Sequence, residues 1–405
     1  MFLKASSELK LLFNMRHIPQ RMVVAFRISL LCGFGFVCPL AQAQTMWCPD
    51  DLNQDHEVSE ADLAVIALEW GPAQPSAAAD LDHSGQVDCG DVAYMLLAFG
   101  PCAPAITPNT AYALCEFVDT IDSPTPYPLA TGWQIIWKPD VSTPSCFAMV
   151  FQATVPEFPG GEVVGLPMFA IAIQGTQNQF DAALDMSITP QVSFPPMSGA
   201  RIGQGSSDAL NCVLDLVQTT DGVTQSLQEW IESLSPENQL FVTGHSLGGN
   251  ITSVLTPWIA YSVPAFGGSL SPLAYLPPNL CAMSFAAPTA GNLAFATFLN
   301  DNPIGYQAFF NSNDVVPNAW ATTGELNLNR IGNLYASTGD AMPSAVNVLL
   351  QSKKLEMLQA GVAYTQTNGV IFTFPLGTPP VGTTEPWLWQ VGYQHNNAYS
   401  EQFPE

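Results

Sequence analysis

Short apolar runs alternate with segments of helical spacing along the larger part of the chain. Residues 146–153 and 169–173 are apolar runs rich in residues that favour buried strands. Residues 207–233 carry apolar side chains every three or four positions, which predicts a helix, with Asp221-Gly222 as the place of any break. Further strand-like runs follow at 281–288 and 306–311. This alternation predicts an α/β fold with a central, mostly parallel sheet.

Residues 244–249 read Gly-His-Ser-Leu-Gly-Gly and lie between a strand-like run, 240–243, and a helical segment, 250–259. A serine between such elements sits at the tip of a strained turn, where flanking glycines avoid collisions between side chains. The backbone N–H of Leu247, at a helix N-terminus, would point at the oxygen of a reacting carbonyl. Ser246 is therefore a candidate nucleophile. The alternative is a glycine-rich turn with a capping serine.

A serine nucleophile needs a base, and the base needs a carboxylate that fixes its tautomer. In α/β hydrolases these residues follow one another in the order Ser, Asp or Glu, His. His395 is the only histidine after Ser246, so elimination makes it the predicted base. Asp314 is the best-placed acid because it closely follows the strand-like run 306–311. The alternatives are a turn-forming aspartate and a surface histidine. We expect His245 to pack rather than to act as a base. Other carboxylates between the serine and the base are Asp301, Glu325, Asp340 and Glu356.

A different pattern precedes this region, where segments 51–72 and 80–101 repeat one another. Each segment begins with a loop that carries oxygen-bearing residues at positions 1, 3, 5, 9 and 12, and position 7 offers its backbone carbonyl. Ca²⁺ gathers about six to eight oxygen ligands from loops of this spacing. The predicted ligands are Asp51, Asn53, Asp55, Glu57, Ser59 and Asp62 in the first loop and Asp80, Asp82, Ser84, Gln86, Asp88 and Asp91 in the second.

This duplicated loop-helix unit resembles the dockerin repeat, a calcium-dependent module through which secreted enzymes dock onto cohesin domains. The resemblance implies a small, α-helical, EF-hand-like module over residues 45–103 that binds Ca²⁺ and a cohesin-type partner. A linker is predicted at 104–110. His56 stands where EF-hands have the glycine of the sharp turn, and position 12 is aspartate, as is usual in dockerins. The alternative is a pair of Asp-rich turns without metal.

The composition of the chain limits which binding partners and which cellular compartment are expected. The chain has 405 residues, with 10 Lys+Arg against 34 Asp+Glu, and so acidic a surface would repel nucleic acid. The first 44 residues combine basic positions, an apolar run at 28–37 and an Ala-Gln-Ala site at 41–43. These features predict a signal peptide over residues 1–44 and a secreted protein, with no transmembrane segment after it. Export permits disulfides, and we expect one between Cys48 and Cys102.

Five motifs, in this order, resemble the fungal-type (class three) lipase family. They are Ile-Gln-Gly-Thr at 173–176, Ser-Phe-Pro-Pro-Met-Ser-Gly at 193–199, Val-Thr-Gly-His-Ser-Leu-Gly-Gly at 242–249, Ser-Phe-Ala-Ala-Pro-Thr-Ala-Gly-Asn at 284–292 and Asn-Ser-Asn-Asp-Val-Val-Pro at 311–317. The resemblance implies an α/β-hydrolase fold for residues 111–405, with Ser246, Asp314 and His395 as the catalytic triad.

The same resemblance assigns further parts of the site. Thr176 and Leu247 would supply the oxyanion hole, and a lid would fall within residues 177–190. The lid residues that would cover the site in water and contact lipid when open are Phe180, Leu184, Met186 and Ile188. Two departures concern the support of the oxyanion region. Residues 201–205 replace the family's His-x-Gly-Phe, and Gln174 stands where arginine is frequent.

The function these residues predict is hydrolysis of carboxylic esters of lipids, as in a triacylglycerol lipase, through an acyl-enzyme and without a catalytic cofactor. The substrate would be a lipid or another ester, met at a lipid–water interface. Two alternatives stay open. One is an esterase that releases feruloyl or acetyl groups from acylated polysaccharides. The other is a calcium-dependent docking protein whose hydrolase domain is inactive.

Overall fold

The computed structural model describes most of the chain beyond residue 51. The described residues are 52–53, 57–72, 79–81, 85–97, 100–101, 106–140, 146–153, 168–175, 187–195, 197–235, 238–266, 280–301, 305–339 and 341–404. The predicted signal peptide and the predicted Cys48–Cys102 pair lie outside them.

A seven-stranded sheet runs through the centre of the larger domain. Its strands lie side by side in chain order. The last five are parallel to one another, and the second is antiparallel to both of its neighbours. The predicted mostly parallel sheet is therefore confirmed. In chain order the strands are β1 (Trp133–Trp137), β2 (Ala148–Ala153), β3 (Met168–Ile173), β4 (Gln239–His245), β5 (Leu280–Phe285), β6 (Tyr306–Asn311) and β7 (Val370–Phe372).

Helices cover both faces of this sheet. In chain order the α-helices that the structure describes in this domain are α1 (Pro108–Thr120), α2 (Gln204–Leu214), α3 (Leu227–Glu232), α4 (Leu247–Ser262), α5 (Leu293–Asp301), α6 (Ser344–Ala360), α7 (Pro386–Gly392) and α8 (Ala398–Gln402). Alternate residues of β4 enter two separate cores: Leu240 and Val242 pack with α4, whereas Phe241 packs with α1. Burial on both faces explains why the central strands read as continuous apolar runs.

The long helix predicted over residues 207–233 is wrong. After α2 the chain forms a hairpin in which Val217–Thr220 pairs antiparallel with Val223–Ser226, and α3 follows. Asp221 and Gly222 form its turn, with φ of 52° and 79°. Asp-Gly favours such two-residue hairpin turns because both positions require positive φ. This local signal outweighed the helical spacing of the apolar residues.

The N-terminal repeats fold into similar units. Their helices are Glu60–Leu68 and Cys89–Leu97. Short strands link the repeats crosswise: the strand in each loop pairs antiparallel with the Gly-Pro segment that follows the helix of the other repeat. Val58, Val87 and Met95 are buried in a small core that the repeats share. The duplication in the sequence is therefore a structural duplication as well.

The linker predicted at 104–110 is too long. Thr107 caps the N-terminus of α1 by accepting the N–H of Thr110, so residues 108–110 form the first turn of that helix. Among the described residues, a disulfide joins Cys146, which lies before β2, to Cys212 within α2. In the part of the chain that the structure describes, no helix combines the length and the apolar character needed to cross a membrane.

Candidate active site

Ser246 lies at the junction between β4 and α4, as its motif predicts. Its backbone has φ 58° and ψ −123°, a strained conformation for a residue other than glycine. Its N–H donates to the carbonyl of Phe285 (2.9 Å), and its carbonyl accepts the N–H of Asn250 (3.1 Å). The residue is almost fully buried, with 2% of its surface exposed. A strained serine held from both sides in this way is the geometry of a nucleophile elbow.

Two glycines allow the elbow to form. A Cβ on Gly244 would lie 2.3 Å from backbone atoms of Gly248, and a Cβ on Gly248 would lie 2.1 Å from the carbonyl oxygen of Ile173. No side chain fits at such distances, so both positions require glycine. Because Ile173 is the last residue of β3, the elbow lies directly against the carboxyl end of the neighbouring strand. Ligand sites in open α/β sheets form at this edge.

Asp314 and His395 meet at the same edge. His395 Nδ1 and Asp314 Oδ2 lie 2.7 Å apart, and both residues are buried, with 1% and 0% of their side chains exposed. Asp314 follows β6 in a tight turn, and its second carboxylate oxygen accepts the N–H of Val316 (2.9 Å). His395 lies in a single π-helical turn, Tyr393–Asn397, between α7 and α8. Such turns are rare and often occur at functional sites.

The other ring nitrogen of His395 is available for chemistry. Nε2 is buried and has no hydrogen-bond partner among the described residues. Burial lowers the pKa of His395 below its usual value, although Asp314 opposes this shift, and the nearby His245 lowers the pKa further. The neutral imidazole is therefore favoured, with Nδ1–H donated to Asp314 and Nε2 free to accept a proton. This is the state that a general base requires.

Asn311, which ends β6, is a supporting residue that the sequence did not single out. Its side-chain N–H groups donate to the carbonyl and to Oε1 of Gln394 (3.0 and 2.7 Å), next to His395. Its own N–H donates to the Tyr399 hydroxyl (2.8 Å). These bonds attach the π-helical turn, which contains His395, to β6, the strand that precedes Asp314. The motif 311–317 contained the residue, but no pattern within it indicated this role.

One of the two predicted oxyanion donors is described. Leu247 is the first residue of α4, a helix of 16 residues, so its N–H lies among the unpaired donors of a helix N-terminus. Thr176, the other predicted donor, lies outside the described residues. The described part of this segment ends at Gly175, two residues after β3.

The end of α1 supports this turn. The Gly175 N–H donates to Asp119 Oδ1 (2.6 Å), and the Gln174 side chain donates to the carbonyl of Val118 (3.0 Å). These contacts lie where the sequence lacks the family's arginine. Within the stretch 201–205, which stands in place of the His-x-Gly-Phe motif, residues 201–203 form a short strand paired with residues 191–193. Sequence reasoning missed Asp119, because no local pattern links it to a turn 56 residues away.

Of the predicted lid residues, only Ile188 is described. It is buried in a cluster with Val315, Trp320 and Trp387, and its carbonyl accepts the Tyr364 hydroxyl (2.5 Å). This cluster lies next to Asp314 in the chain and also contacts Leu247. The other predicted lid residues, Phe180, Leu184 and Met186, lie outside the described residues, so the lid stays a prediction.

The predicted calcium loops each end on a fully buried carboxylate. Asp62 accepts the backbone N–H groups of Asn53 (3.0 Å) and Ser59 (2.9 Å). Asp91, at the matching position of the second loop, accepts two backbone N–H groups at 2.6 and 2.7 Å. These bonds close each loop.

Asp80 is the first residue of the second loop, and its two carboxylate oxygens show whether a cation would fit there. Its Oδ2 accepts the N–H of Gly85 (3.0 Å), whereas Oδ1 is buried without a hydrogen-bond partner among the described residues. An unpaired buried carboxylate oxygen is costly, and a hard cation would satisfy it. In the described ranges no group of three or more His, Cys, Asp or Glu side chains is close enough to form a metal site. The predicted ligands outside those ranges are Asp51, Asp55, Asp82 and Ser84.

Part of the chain is similar to known lipases. Residues 170–323 match the family model of lipase (class 3). A lipase of Rhizomucor miehei is 29% identical over 147 residues, which are 36% of this chain and 36% of that protein. The chain therefore covers little more than a third of that relative.

Solved structures extend the comparison to the fold. M37 lipase superposes with a TM-score of 0.57 at 20% identity, over 73% of this chain and 92% of its own. Lipase II from Rhizopus niveus superposes with a TM-score of 0.37 at 19% identity, over 52% and 71% of the two chains. The first comparison shows a shared fold, and the family match supports the predicted carboxylic ester hydrolase.

Proposed function

We propose that residues 111–405 form a secreted serine hydrolase that cleaves carboxylic esters of lipids, with Ser246, Asp314 and His395 as its triad. One observation carries the proposal. One nitrogen of a buried histidine lies 2.7 Å from a buried aspartate, and the other has no partner among the described residues, at the sheet edge where a strained serine follows β4. The match of residues 170–323 to class 3 lipases favours lipid esters as the substrate class.

The mechanism follows from these roles. His395 Nε2 takes the proton of Ser246 as Oγ attacks the ester carbonyl, and the N–H groups of Leu247 and Thr176 stabilise the oxyanion that forms. The intermediate collapses to an acyl-enzyme, and the proton on Nε2 passes to the leaving alcohol. Water, deprotonated by His395, then attacks the acyl-enzyme, and the acid is released as the proton on Nε2 returns to Ser246 Oγ. Asp314 keeps Nδ1–H oriented and stabilises the imidazolium in both halves.

Ser246→Ala tests the nucleophile, with Ser253→Ala as the matched control. Ser253 is also buried in this region, but its hydroxyl donates to the carbonyl of Asn250 within α4. We expect Ser246→Ala to lower kcat for nitrophenyl esters by at least about 10⁴-fold, and the control to keep nearly all activity. Hydrolysis by Ser246→Ala at the rate of the control would contradict the assignment. A wild-type protein without esterase activity would favour the docking protein with an inactive domain.

The substrate class needs its own experiment, because the same site could open esters of polysaccharides. Rates on nitrophenyl esters of increasing chain length, and on emulsified triacylglycerol, should be compared with release of feruloyl and acetyl groups from xylan. A lipase predicts a preference for long, emulsified esters. Faster feruloyl or acetyl release would reject the lipid assignment and keep the triad.

For residues 45–103 we propose a second function, calcium-dependent docking of a cohesin-type partner. The unpaired, buried Oδ1 of Asp80 and the crosswise pairing of the two repeats favour it. Asp80, Asp88 and Asp91 would contribute to the second site and Asn53, Ser59 and Asp62 to the first, while the metal would link each loop to its helix. Calorimetric titration of the full chain with Ca²⁺ tests this. Saturable binding is expected, and the absence of heat at millimolar Ca²⁺ would contradict it.

A further inference from the structure

Asp119 lies at the end of α1 and reaches two other parts of the fold. Its Oδ1 accepts the N–H of Gly175 at 2.6 Å, in the turn that leads to the predicted oxyanion residue Thr176. Its Oδ2 lies 3.6 Å from His245 Nδ1, an ion-pair distance. Only 17% of the Asp119 side chain is exposed. One carboxylate therefore contacts both the oxyanion turn and the residue that precedes the nucleophile.

The oxyanion turn lies against the elbow itself. A Cβ on Gly175 would lie 2.9 Å from the carbonyl oxygen of His245 and 3.3 Å from Ser246 Cβ. At this spacing a small displacement of the Gly175 peptide shifts the start of the predicted oxyanion segment relative to Ser246. Rates of acyl transfer are sensitive to such displacements, because about 1 Å of misplacement can cost about 10²-fold.

His245 connects this carboxylate to the base. Its side chain is buried, and its Nε2 lies 3.0 Å from the carbonyl oxygen of His395. Since a carbonyl can only accept, Nε2 carries a proton. Nδ1 faces the carboxylate of Asp119, which also favours a proton there. Nε2 is thus a donor, whereas Nδ1 makes no hydrogen bond among the described residues but lies at an ion-pair distance from the carboxylate, which favours an imidazolium.

The electrostatic surroundings agree with a charged His245. Burial alone would lower its pKa, but the contact with Asp119 and the charges of Asp119, Glu116 and Asp314 outweigh burial and raise the pKa above its usual value. Its ring also packs against Tyr112, Tyr399 and His395. The titratable groups that face it from the packed elements are Tyr112, Glu116, Asp119, Asp314, His395 and Tyr399.

An unpaired carboxylate below the oxyanion turn would oppose the negative charge that develops there during attack. An imidazolium at 3.6 Å compensates that charge while leaving the hydrogen bond to Gly175 in place. We infer that Asp119 and His245 are a positioning pair that fixes the oxyanion turn to the nucleophile elbow and to the backbone of the base. The inference rests on the proposed ester hydrolysis.

Four single variants test the pair. Asp119→Ala removes both the acceptor of Gly175 and the charge, whereas Asp119→Asn keeps an acceptor oxygen and removes only the charge. His245→Gln leaves the Asp119 carboxylate without its counter-charge. Asp122→Asn is the control, since Asp122 follows the same helix and is exposed. Each variant is titrated with a nitrophenyl phosphonate, so that kcat refers to competent sites, and its thermal unfolding is recorded.

We expect Asp119→Ala to lower kcat about 100-fold and Asp119→Asn about 10-fold, with KM for a short nitrophenyl ester changed less than about 2-fold. His245→Gln should also lower kcat at least about 10-fold. It should move the acid limb of kcat/KM to higher pH, because the imidazolium that lowers the pKa of His395 is gone. The control should match the wild type in all respects.

A second readout is independent of activity. NMR titration of the histidine side chains should show one resonance, lost in His245→Gln, that titrates above the usual histidine pKa. Asp119→Asn should move this resonance to lower pH. The inference is overturned if kcat per titrated site stays within 2-fold of the wild type in Asp119→Ala, or if Asp119→Asn leaves the His245 titration unchanged. Failure of the proposed hydrolysis would appear instead as full activity in Ser246→Ala.

Discussion

Buried carboxylates accept hydrogen bonds both in the candidate active site and in the Asp-rich N-terminal module. The two regions differ in how far along the chain the donors lie from the carboxylates. Asp62 and Asp91 accept N–H groups no more than 10 residues away. Asp314 meets His395 across 81 residues, and Asp119 meets Gly175 across 56. The module can therefore order its ligands locally, whereas the active site exists only when the whole sheet has formed.

This difference implies that the two regions can be disabled separately. A change at the sheet edge should stop ester hydrolysis and leave cation binding intact, and a change in a loop of the module should do the opposite. Four predictions test this separation.

The largest effect is expected at Asp314. Asp314→Asn keeps the size of the side chain but can place an amide N–H₂ donor beside Nδ1 of His395. The proton of the imidazole then lies on Nε2, which is the wrong tautomer for a base, so kcat should fall by about 10⁴-fold. Ca²⁺ binding by the same protein should be unchanged. Glu325→Gln, an exposed acid further along the chain, is the control and should keep full activity. Steady-state kinetics measure the effect, and a loss below 10-fold would contradict the role of Asp314.

The disulfide should matter for stability and not for the module. Cys146 and Cys212 are 66 residues apart, so replacing both by serine should lower the free energy of unfolding by about 4 kcal/mol in the chain-entropy account. Denaturant unfolding followed by fluorescence would measure this. Cys89→Ser removes an exposed, unbridged cysteine and should leave the unfolding free energy unchanged. Equal stability of the two variants would show that the bridge contributes nothing.

A smaller effect is expected at Asp80. Asp80→Asn removes the charge of the unpaired oxygen in the second loop and should weaken Ca²⁺ binding by about 10-fold, or about 1.4 kcal/mol. Its kcat should equal that of the wild type, because the module contributes no residue to the proposed triad. Glu69→Gln, which alters an exposed acid of the same module, should leave the calorimetric titration unchanged. Identical Ca²⁺ affinities for Asp80→Asn and Glu69→Gln would reject the second site.

The smallest effect concerns pH. The base must be neutral, and burial lowers the pKa of His395 below 6.5, so the acid limb of kcat/KM should have its midpoint below that pH. Activity falls as His395 is protonated, and it is recovered as the pH rises through the lowered pKa. A profile of kcat/KM between about pH 4 and pH 8 measures the midpoint of the acid limb. An acid limb above 7 would mean that His395 is not the limiting group.

The features that the sequence predicted are also mostly those that depend on residues close together along the chain. The sheet was predictable because strands buried on both faces read as apolar runs, and the elbow because glycine is required on both sides of Ser246. Elimination led to His395, since no other histidine follows the serine. Asp314, chosen for its place after a strand, is the carboxylate that the fold brings to His395.

What the sequence did not indicate depends on contacts between distant segments. The contacts that Asp119, Asn311 and His245 make form only when α1, β6 and the C-terminal turns pack around the sheet edge. His245 was expected to pack, and it does, but its two nitrogens also join Asp119 to the backbone of His395. The failed helix at 207–233 shows the converse, because there a short Asp-Gly turn decided the structure against a longer apolar periodicity.

The most direct test of the central claim is the site of covalent modification by diethyl 4-nitrophenyl phosphate, mapped by mass spectrometry of peptides from the full-length protein. The proposed triad predicts one diethylphosphoryl group per chain, on Ser246, formed with loss of esterase activity and absent in Asp314→Asn over the same time. A fully inactivated protein with Ser246 unmodified, or with the adduct on another residue, would contradict it.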